Sequence, residues 1–271
     1  MNATFNMTKE KSLDSDNMEL NLPKNDKSVL SKADTFNEIV EYRRAVRIYD
    51  HLVKFDPEVV MRSLERALLA PNSSNLQLWE FHRIQSQEAL AKMTEYCLGQ
   101  SAAKTANELV VVVVRNDKAR ERMRWNYDLI KQSIGDRIPN AKEKDVLNYY
   151  GKLLPFVYAN DYFNIWGKVK NLLMWGISFV RPIMRKIDRN EIRIMGHKSA
   201  ALAAQTFMLS LAAEGYDSCP MEGIDAIRIR KFLGLPRKAE VSMVISVGIR
   251  KSEGVYASRS RVDSKDVIFE H

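Results

Sequence analysis

The chain has 271 residues, of which 45% are hydrophobic and 28% charged, a balance typical of a soluble globular protein with a sizeable core. Its formal net charge of +8 favours anionic partners such as phosphates, anionic lipid or nucleic acid, without choosing among them. Two distant cysteines exclude a disulfide scaffold, and no apolar stretch is as long as a membrane span. Because the N-terminus lacks a signal-peptide pattern, we expect a cytoplasmic protein.

The N-terminal residues differ in composition from the rest of the chain. Residues 1–34 are polar and of mixed charge, so we expect a disordered or loosely packed tail. Apolar residues at helical spacing begin near Phe36, just after Thr35. We therefore expect one domain over residues 35–271.

The first part of this domain alternates helix and strand signals. Asp56 followed by Pro57 and Glu58 predicts a helix start, since it combines an N-cap residue, a proline in the first turn and an acid. The alternating residues 79–84 predict a strand. The unbroken apolar run at residues 109–114 predicts a strand that is buried on both faces.

The C-terminal part gives equally clear signals. Residues 191–214 are rich in alanine and predict a long core helix that ends at Gly215. A short strand should follow, and Asp225 is placed to cap the next helix. Residues 241–249 predict another apolar strand.

Residues 118–195 carry the whole charge excess, with sixteen Lys and Arg against eight Asp and Glu. We expect long amphipathic helices here, with turns near residues 135–140 and 151–155. Residues 172–180 contain no charge and are flanked by basic side chains. This segment is expected to be a helical insert in the domain.

The usual catalytic signatures are absent from the sequence. It has no Gly-rich phosphate loop, no Gly-x-Ser-x-Gly elbow and no zinc-type spacing of Cys or His. The four histidines stand apart, so we expect structural or surface roles for them. We expect no metal site and no side chain that performs the chemistry itself.

Arginines do cluster, in two short stretches far apart in the chain: Arg43, Arg44 and Arg47, and then Arg259 and Arg261. The planar guanidinium group suits bidentate binding of phosphate. From the residues alone, the alternative is two solvated basic patches without a ligand.

Four segments around these arginines form a wider pattern. Residues 43–47 read Arg-Arg-Ala-Val-Arg, and residues 70–81 read Ala-Pro-Asn-Ser-Ser-Asn-Leu-Gln-Leu-Trp-Glu-Phe. Residues 215–223 contain Gly-Tyr and then Pro-Met-Glu-Gly, and residues 259–261 read Arg-Ser-Arg. Through these segments, residues 35–115 and 196–265 resemble the nitroreductase family of FMN-dependent oxidoreductases.

The resemblance implies an α+β fold, with a central and mostly antiparallel sheet flanked by helices, in an intertwined homodimer. FMN would lie at the dimer interface, so that each site uses residues of both subunits. NAD(P)H would donate hydride to flavin N5, and a small aromatic or quinone-like acceptor would then be reduced. The flavin supplies this chemistry while the protein supplies position and electrostatics.

The resemblance also assigns residues to the cofactor. Arg43, Arg44, Arg259 and Arg261 would hold the FMN phosphate, and Arg47 would lie near flavin N1 and O2. Further contacts would come from polar residues of the partner subunit, namely Asn72, Ser73 and Asn75. Pro220 and Met221 would back the flavin ring, and the backbone amides of Glu222 and Gly223 would face N5 and O4. Gln100 and Lys104 would contact the ribityl chain and the pyrimidine edge.

The chain departs from the family pattern in a few places. Ala45, which belongs to the expected phosphate segment, stands where the family has Ser, so one hydroxyl contact would be lost. Asn72 replaces a Ser, and Leu78 replaces a Pro. These changes affect the fine geometry expected of the site.

The aromatic residues of the insert allow three interpretations. As part of a lid over the flavin, four of them could line the substrate site: Trp125, Tyr127, Trp166 and Trp175. They could instead form the core of a small helical subdomain. A third interpretation is a helix that contacts a membrane surface.

A different class of function also stays open. The basic charge could belong to a non-catalytic protein that binds anions, a membrane surface or nucleic acid. The basic residues are not interleaved with a known nucleic-acid-binding motif, so we expect no nucleic-acid partner.

Overall fold

The fold is given by a computed structural model, which describes residues 27–159 and 165–271. Ten helices lie in these residues: α1 (Lys27–Tyr42), α2 (Pro57–Ala67), α3 (Gln87–Tyr96), α4 (Ser101–Lys104), α5 (Ala119–Ile134), α6 (Ala141–Asn148), α7 (Leu154–Tyr158), α8 (Ile165–Ile177), α9 (Arg189–Ala213) and α10 (Ala226–Phe232). The same residues contain four strands: β1 (Trp79–Ile84), β2 (Glu108–Val114), β3 (Asp217–Met221) and β4 (Glu240–Gly248).

The N-terminal boundary differs from the expected one. The chain divides into two units, Met1–Glu38 and Ile39–His271. Helix α1 begins at Lys27, ahead of the expected start of order at Thr35. Residues 1–26 of the expected tail lie outside the described residues.

The four strands form one sheet in the order β1-β2-β4-β3, and all three pairings are antiparallel. This confirms the expected α+β class with a mostly antiparallel sheet. All seven residues of β2 are buried, as its unbroken apolar run predicted. Strands β1 and β3 are the two edges of the sheet.

Helices cover both faces of the sheet. Helices α2 and α9 pack on one face around Trp79, Val112 and Phe207. Helices α3, α4 and α10 pack on the other face around Met93 and Val111. The core is therefore two apolar layers with the sheet between them.

Several local predictions are confirmed. The Asp56 side chain accepts a hydrogen bond from the backbone N of Glu58 at 3.0 Å. Asp225 accepts one from the backbone N of Arg228, also at 3.0 Å. Gly215 follows α9 with a φ of 77°, the left-handed conformation in which glycine commonly ends a helix.

The turn predicted at residues 151–155 is wrong. Residues 149–153 form a π-helical turn that joins α6 to α7 without a break. A Cβ on Gly151 would lie 3.2 Å from Cε2 of Tyr127. The glycine therefore allows close packing of this segment against α5 and does not mark a turn.

The tryptophans do not form the core of a helical subdomain. Trp125, Trp166 and Trp175 are 48%, 43% and 54% exposed. The apolar cluster beneath this segment consists of Ala119, Met123 and Leu154 with Leu76 and Leu78 from the preceding loop. Aliphatic side chains, with the partly buried Tyr149, Tyr150 and Tyr158 packed against them, thus fill the interior of this part of the domain in place of tryptophans.

Candidate functional site

The segment 43–47 runs along the outer edge of β3. Ala45 forms a parallel bridge with Ser218, and the backbone N of Val46 donates to the carbonyl O of Ser218 at 3.2 Å. On the other side, the backbone N of Arg47 donates to the carbonyl O of Gly254 at 2.7 Å. Backbone contacts on two sides therefore fix the arginines of this segment.

Gly254 has a steric role at this contact. A Cβ built on it would lie 2.4 Å from the carbonyl O of Ile48. No side chain fits in that space, so only glycine permits the close approach of the turn at Ser252–Gly254 to the arginine segment.

The structure brings together all four arginines that we expect to bind the phosphate, although two of them lie more than 200 residues along the chain from the other two. Burial and the neighbouring guanidinium groups of Arg259, Arg261 and Arg44 lower the pKa of Arg43. We call Arg43, Arg44, Arg259 and Arg261 the arginine cluster. Like charges gathered in this way repel one another, and a bound dianion would relieve that repulsion.

The cluster is tied to the backbone around it. One nitrogen of Arg259, Nη2, donates to the carbonyls of Val40, Glu41 and Arg43 at 3.1, 2.8 and 2.8 Å. These carbonyls lie at the C-terminal end of α1, where cations are favourable. Arg44 donates to the carbonyl of Ala257, which joins the two arginine stretches.

An ion pair that the sequence did not reveal supports this arrangement. Arg250 donates from Nε to Oδ1 of Asp217 at 2.8 Å, and from Nη2 to the carbonyl of Tyr42 at 3.0 Å. Its guanidinium lies 4.4 Å from the centre of the Tyr42 ring. Asp217 begins β3 and Tyr42 ends α1, so Arg250 connects the two elements that flank the cluster.

A second buried contact lies under β3. The Tyr49 hydroxyl is 2.8 Å from Oγ of Ser246, and Ser246 donates to the carbonyl of Cys219 at 3.3 Å. Burial raises the pKa of the Cys219 thiol, against the opposing effect of Arg47 and Arg43. Cys219 is therefore a packed thiol that lies close to Arg47 and Arg43.

The expected ring wall follows directly from this strand. Pro220 and Met221 are the last residues of β3, and Glu222 and Gly223 come next. Gln100 donates from Nε2 to the carbonyl of Gly223 at 2.8 Å, so the structure brings these two predicted residues together.

Two details of this region refine the expectation. The atom nearest to a Cβ on Gly223 would be Nε2 of Gln100 at 3.9 Å, so this side of Gly223 is open. Lys104 is exposed at the end of α4. The next residue, Thr105, accepts a hydrogen bond from the backbone N of Tyr49 at 3.2 Å, which places α4 beside the arginine segment.

The loop with Asn72, Ser73 and Asn75 has an unusual backbone. Ser74, Asn75 and Gln77 have φ values of 55°, 49° and 47°. Such left-handed residues cost energy unless the surroundings hold them in place. Asn72 does so by accepting a hydrogen bond at Oδ1 from the backbone N of Gln77 at 2.8 Å.

Two helices fix this loop. Asn126 of α5 donates from Nδ2 to the carbonyl of Asn75 at 3.0 Å and accepts at Oδ1 from the Asn75 side chain at 3.1 Å. Ser199 of α9 accepts a hydrogen bond from the backbone N of Ser73 at 3.3 Å. Neither contact residue was identified from the sequence, since their partners lie far away along the chain.

Within one chain, the loop and the arginine cluster lie far apart. Ser218, beside the cluster, is level with Val247 and Glu108, whereas the loop leads into Trp79, which pairs with Val114 at the other end of β2. Ser218 and Trp79 are thus at diagonally opposite corners of the sheet, roughly 25 Å apart by strand spacing and rise. One chain does not bring the two predicted groups together.

The four aromatic candidates for the substrate site separate into two groups. Trp125 and Tyr127 lie on α5, next to Asn126, which holds the loop. Trp166 and Trp175 lie on α8, where they contact Phe156 and Phe179 at ring-centroid distances of 6.2 and 4.7 Å. None of the described helices is both long and apolar enough to cross a bilayer.

The chain is similar to known proteins over most of its length. The model of the Nitroreductase family matches residues 40–249. The Bacillus subtilis protein YdgI is 26% identical over 235 residues, which cover 86% of this chain and 97% of YdgI. Its name assigns it provisionally to the NAD(P)H nitroreductases.

Solved structures show the same fold. The Bacillus subtilis protein ydfN, provisionally described as a nitroreductase, has a TM-score of 0.67 at 21% identity, covering 88% of this chain and all of its own. An Exiguobacterium sibiricum protein solved in complex with FMN has a TM-score of 0.61 at 24% identity, covering 87% and 97%. The chain belongs to the Nitroreductase family, as its four sequence segments predicted.

Proposed function

We propose that this protein oxidises NAD(P)H and passes the hydride through flavin N5 to a small aromatic or quinone-like acceptor. Family membership confirms the expected enzyme class, an FMN-dependent NAD(P)H oxidoreductase. FMN, when bound, supplies the redox chemistry. The chain's own residues bind and orient it.

The observation that carries the proposal is the arginine cluster at the edge of β3. Two stretches of chain converge there, and burial together with the guanidinium groups of Arg259, Arg261 and Arg44 lowers the pKa of Arg43. A phosphate dianion suits such a cluster, because charge-assisted hydrogen bonds to guanidinium groups are strong and directional. We assign the FMN phosphate to these four residues.

The flavin ring is assigned to the surface next to the cluster. Arg47 would lie near N1 and O2, where a fixed cation favours the reduced, anionic ring. Pro220 and Met221 would back the ring, and the backbone amides of Glu222 and Gly223 would face N5 and O4. The open side of Gly223 supports this assignment, because no chain atom lies within 3.4 Å of a Cβ there.

Two further residues are assigned to the polar edge of the cofactor. Gln100 already donates to the carbonyl of Gly223, and Lys104 ends the same short helix. We assign them to the ribityl chain and the pyrimidine edge. Ala45 lies in the same segment as the cluster and offers no hydroxyl to the phosphate.

We propose that the active form is a homodimer with shared sites. Asn72, Ser73 and Asn75 of the partner subunit would contact the flavin ring bound to the first subunit. The diagonal separation of the loop from its own arginine cluster supports this arrangement. Two chains related by a twofold axis can bring one chain's loop to the other chain's cluster.

We assign the binding site of the electron acceptor to helix α5. Asn126 of this helix holds Asn75, so Trp125 and Tyr127 lie next to a loop that is itself assigned to the ring. A half-exposed Trp125 offers an aromatic face to a flat acceptor. Trp166 and Trp175 lie on a separate helix, α8.

The test is a panel of nitroaromatic, quinone and flavin acceptors with NADH and with NADPH, followed by absorbance on purified protein. We expect a yellow protein whose flavin band bleaches with the donor and returns with a suitable acceptor. A colourless protein that FMN does not reconstitute would contradict the proposal. A salt-dependent shift of DNA would then favour a non-catalytic anion-binding protein.

A further inference from the structure

The polarity of helix α8 is reversed relative to a normal surface helix. Its inward half carries Gly167, Lys170, Asn171 and Met174, and Lys170 is only 1% exposed. The outward half carries large apolar residues that are 43% to 69% exposed: Ile165, Trp166, Val169, Leu172, Leu173 and Trp175. A helix that only packs on a protein core shows the opposite pattern.

The inward polar residues of α8 anchor it to the domain. Lys170 donates from Nζ to the carbonyls of Val157 and Ala159 at 2.7 and 2.6 Å, at the C-terminal end of α7. Asn171 donates to Asp188 at 2.9 Å and accepts from the backbone N of Ile187 at 2.8 Å. The outward orientation of the leucines and tryptophans is therefore fixed by specific hydrogen bonds.

The apolar surface continues past the end of the helix. Phe179, Val180 and Met184 are 72%, 88% and 47% exposed. Together with the six outward residues of α8, they form what we call the α8 patch. Isolated exposed leucines are common on proteins, but a contiguous apolar patch of this kind marks an interaction surface.

The charged residues of the segment that forms the patch have one sign. Residues 165–187 contain no Asp or Glu. Their exposed charged side chains are all basic: Lys168, Arg181, Arg185 and Lys186. Tryptophan, leucine and phenylalanine beside lysine and arginine form the composition of a segment that lies in a bilayer interface.

The same charges disfavour a second copy of the chain as the occupant. A twofold contact through the patch would bring the basic residues of both copies into one interface, because such an interface joins identical surfaces. An anionic surface instead pairs with them, and its acyl region accepts the apolar side chains.

We propose that the α8 patch docks this protein on the surface of an anionic lipid bilayer, without crossing it. Trp166 and Trp175 enter the boundary between headgroups and acyl chains, and the four basic residues contact anionic headgroups. This attachment goes beyond the proposed redox function and does not depend on it.

The test is co-sedimentation of the full chain with phosphatidylcholine vesicles, with and without phosphatidylglycerol. We expect binding to the anionic vesicles to be at least about tenfold stronger than to neutral ones, and weakened by high salt. Tryptophan emission should shift to the blue on binding. No pelleting with the anionic vesicles at low salt would overturn the proposal.

Substitutions distinguish vesicle binding through the α8 patch from nonspecific binding through any exposed apolar residue. Leu172→Glu and Val180→Glu should each weaken vesicle binding about tenfold or more, because a carboxylate there opposes both the acyl chains and the anionic headgroups. Leu69→Glu is the matched control, since Leu69 is 85% exposed but lies outside the patch. Equal binding of all three variants would contradict the assignment.

Sedimentation of the same variants without lipid tests whether a second copy of the chain covers the α8 patch. We expect Leu172→Glu and Val180→Glu to keep the oligomeric state of the wild type. Dissociation of the oligomer by either substitution would show that a second copy covers the patch, and would overturn the lipid proposal. FMN content, measured in parallel, tests the redox assignment separately.

Discussion

Arg250 binds Asp217 through both its backbone and its side chain. The backbone N donates to Oδ2 and the side-chain Nε to Oδ1, each at 2.8 Å, and the Asp217 side chain is fully buried. Arg250 also donates to the carbonyl of Tyr42, the residue before Arg43. Arg250 is therefore a positioning residue for the arginine cluster.

Arg250→Met should lower the free energy of unfolding by about 3 kcal/mol, because it leaves the buried Asp217 carboxylate without its charged partner. It should also weaken FMN binding about tenfold, equal to roughly 1.4 kcal/mol, with little effect on riboflavin, which lacks the phosphate. Denaturant unfolding and flavin titration measure the two effects.

The control is Arg83→Met. Arg83 donates to Glu108 at 2.6 and 3.0 Å, and the Glu108 side chain is 1% exposed, but this pair involves edge strand β1 rather than β3. We expect a similar loss of stability and no change in the preference for FMN over riboflavin. If both substitutions leave that preference unchanged, Arg250 has only a structural role.

Two glycines offer a matched pair of substitutions. Gly254→Ala should destabilise the fold by about 2 kcal/mol, because its Cβ would lie 2.4 Å from the carbonyl of Ile48. Gly223→Ala should change stability by less than about 0.5 kcal/mol, since its Cβ would meet nothing closer than 3.9 Å. It should nevertheless weaken FMN binding. Wild-type affinity in Gly223→Ala would show that this backbone does not face the flavin.

Acid stability should depend on Glu240. Hydrogen bonding from His197 (Nε2 to Oε2, 3.2 Å) and the ion pair with Arg193 lower the pKa of Glu240 below its usual 4.5. A lowered folded-state pKa contributes stability that is complete above pH 4.5 and is lost as the pH falls through the folded-state value.

Thermal unfolding between about pH 3 and pH 6 tests this. The Tm of the wild type should fall more steeply below pH 4.5 than the Tm of Glu240→Gln. Glu95→Gln is the control, because the Lys92–Glu95 pair is exposed and screened by solvent. Parallel Tm curves for wild type and Glu240→Gln would contradict the prediction.

Local features of the fold could be predicted from the sequence. The bounds of β1 match residues 79–84, because alternation of apolar and polar residues is visible in the chain itself. The caps at Asp56 and Asp225 are also local, since each side chain bonds a backbone N two or three residues away. The cluster of arginines was predicted only through the flanking family segments.

Features that depend on tertiary contacts could not be predicted. The prediction of a turn at Gly151 is wrong because this glycine allows close packing against Tyr127, which lies on another helix. The pair of Arg250 and Asp217 joins residues 33 positions apart, with no signal in either neighbourhood. The reversed polarity of α8 depends on which half of the helix packs inward, which composition does not reveal.

Shared sites predict complementation between two defective chains. One chain would carry Arg259→Ala and Arg261→Ala, and the other Asn72→Ala and Asn75→Ala. In a mixed dimer, one site combines both defects and the other site has none. Random mixing should therefore restore about a quarter of the wild-type sites.

The measurement is NAD(P)H oxidation by the unfractionated mixture of dimers that forms when the two chains are co-expressed in equal amounts. Each variant alone should be inactive or nearly so. Activity in the mixture that never exceeds the sum of the two variants would show that each site lies within one chain.

The assignment of the FMN phosphate to the arginine cluster is tested most directly by titrating flavin-free protein with FMN and with riboflavin. The wild type should prefer FMN by about 100-fold, roughly 2.7 kcal/mol, because charge-assisted hydrogen bonds hold the phosphate. Arg259→Ala with Arg261→Ala should abolish this preference and leave riboflavin binding intact. Arg62→Ala with Arg66→Ala, which removes two half-exposed arginines of α2, should keep it. An unchanged preference for FMN over riboflavin in the Arg259 and Arg261 double variant would contradict the assignment.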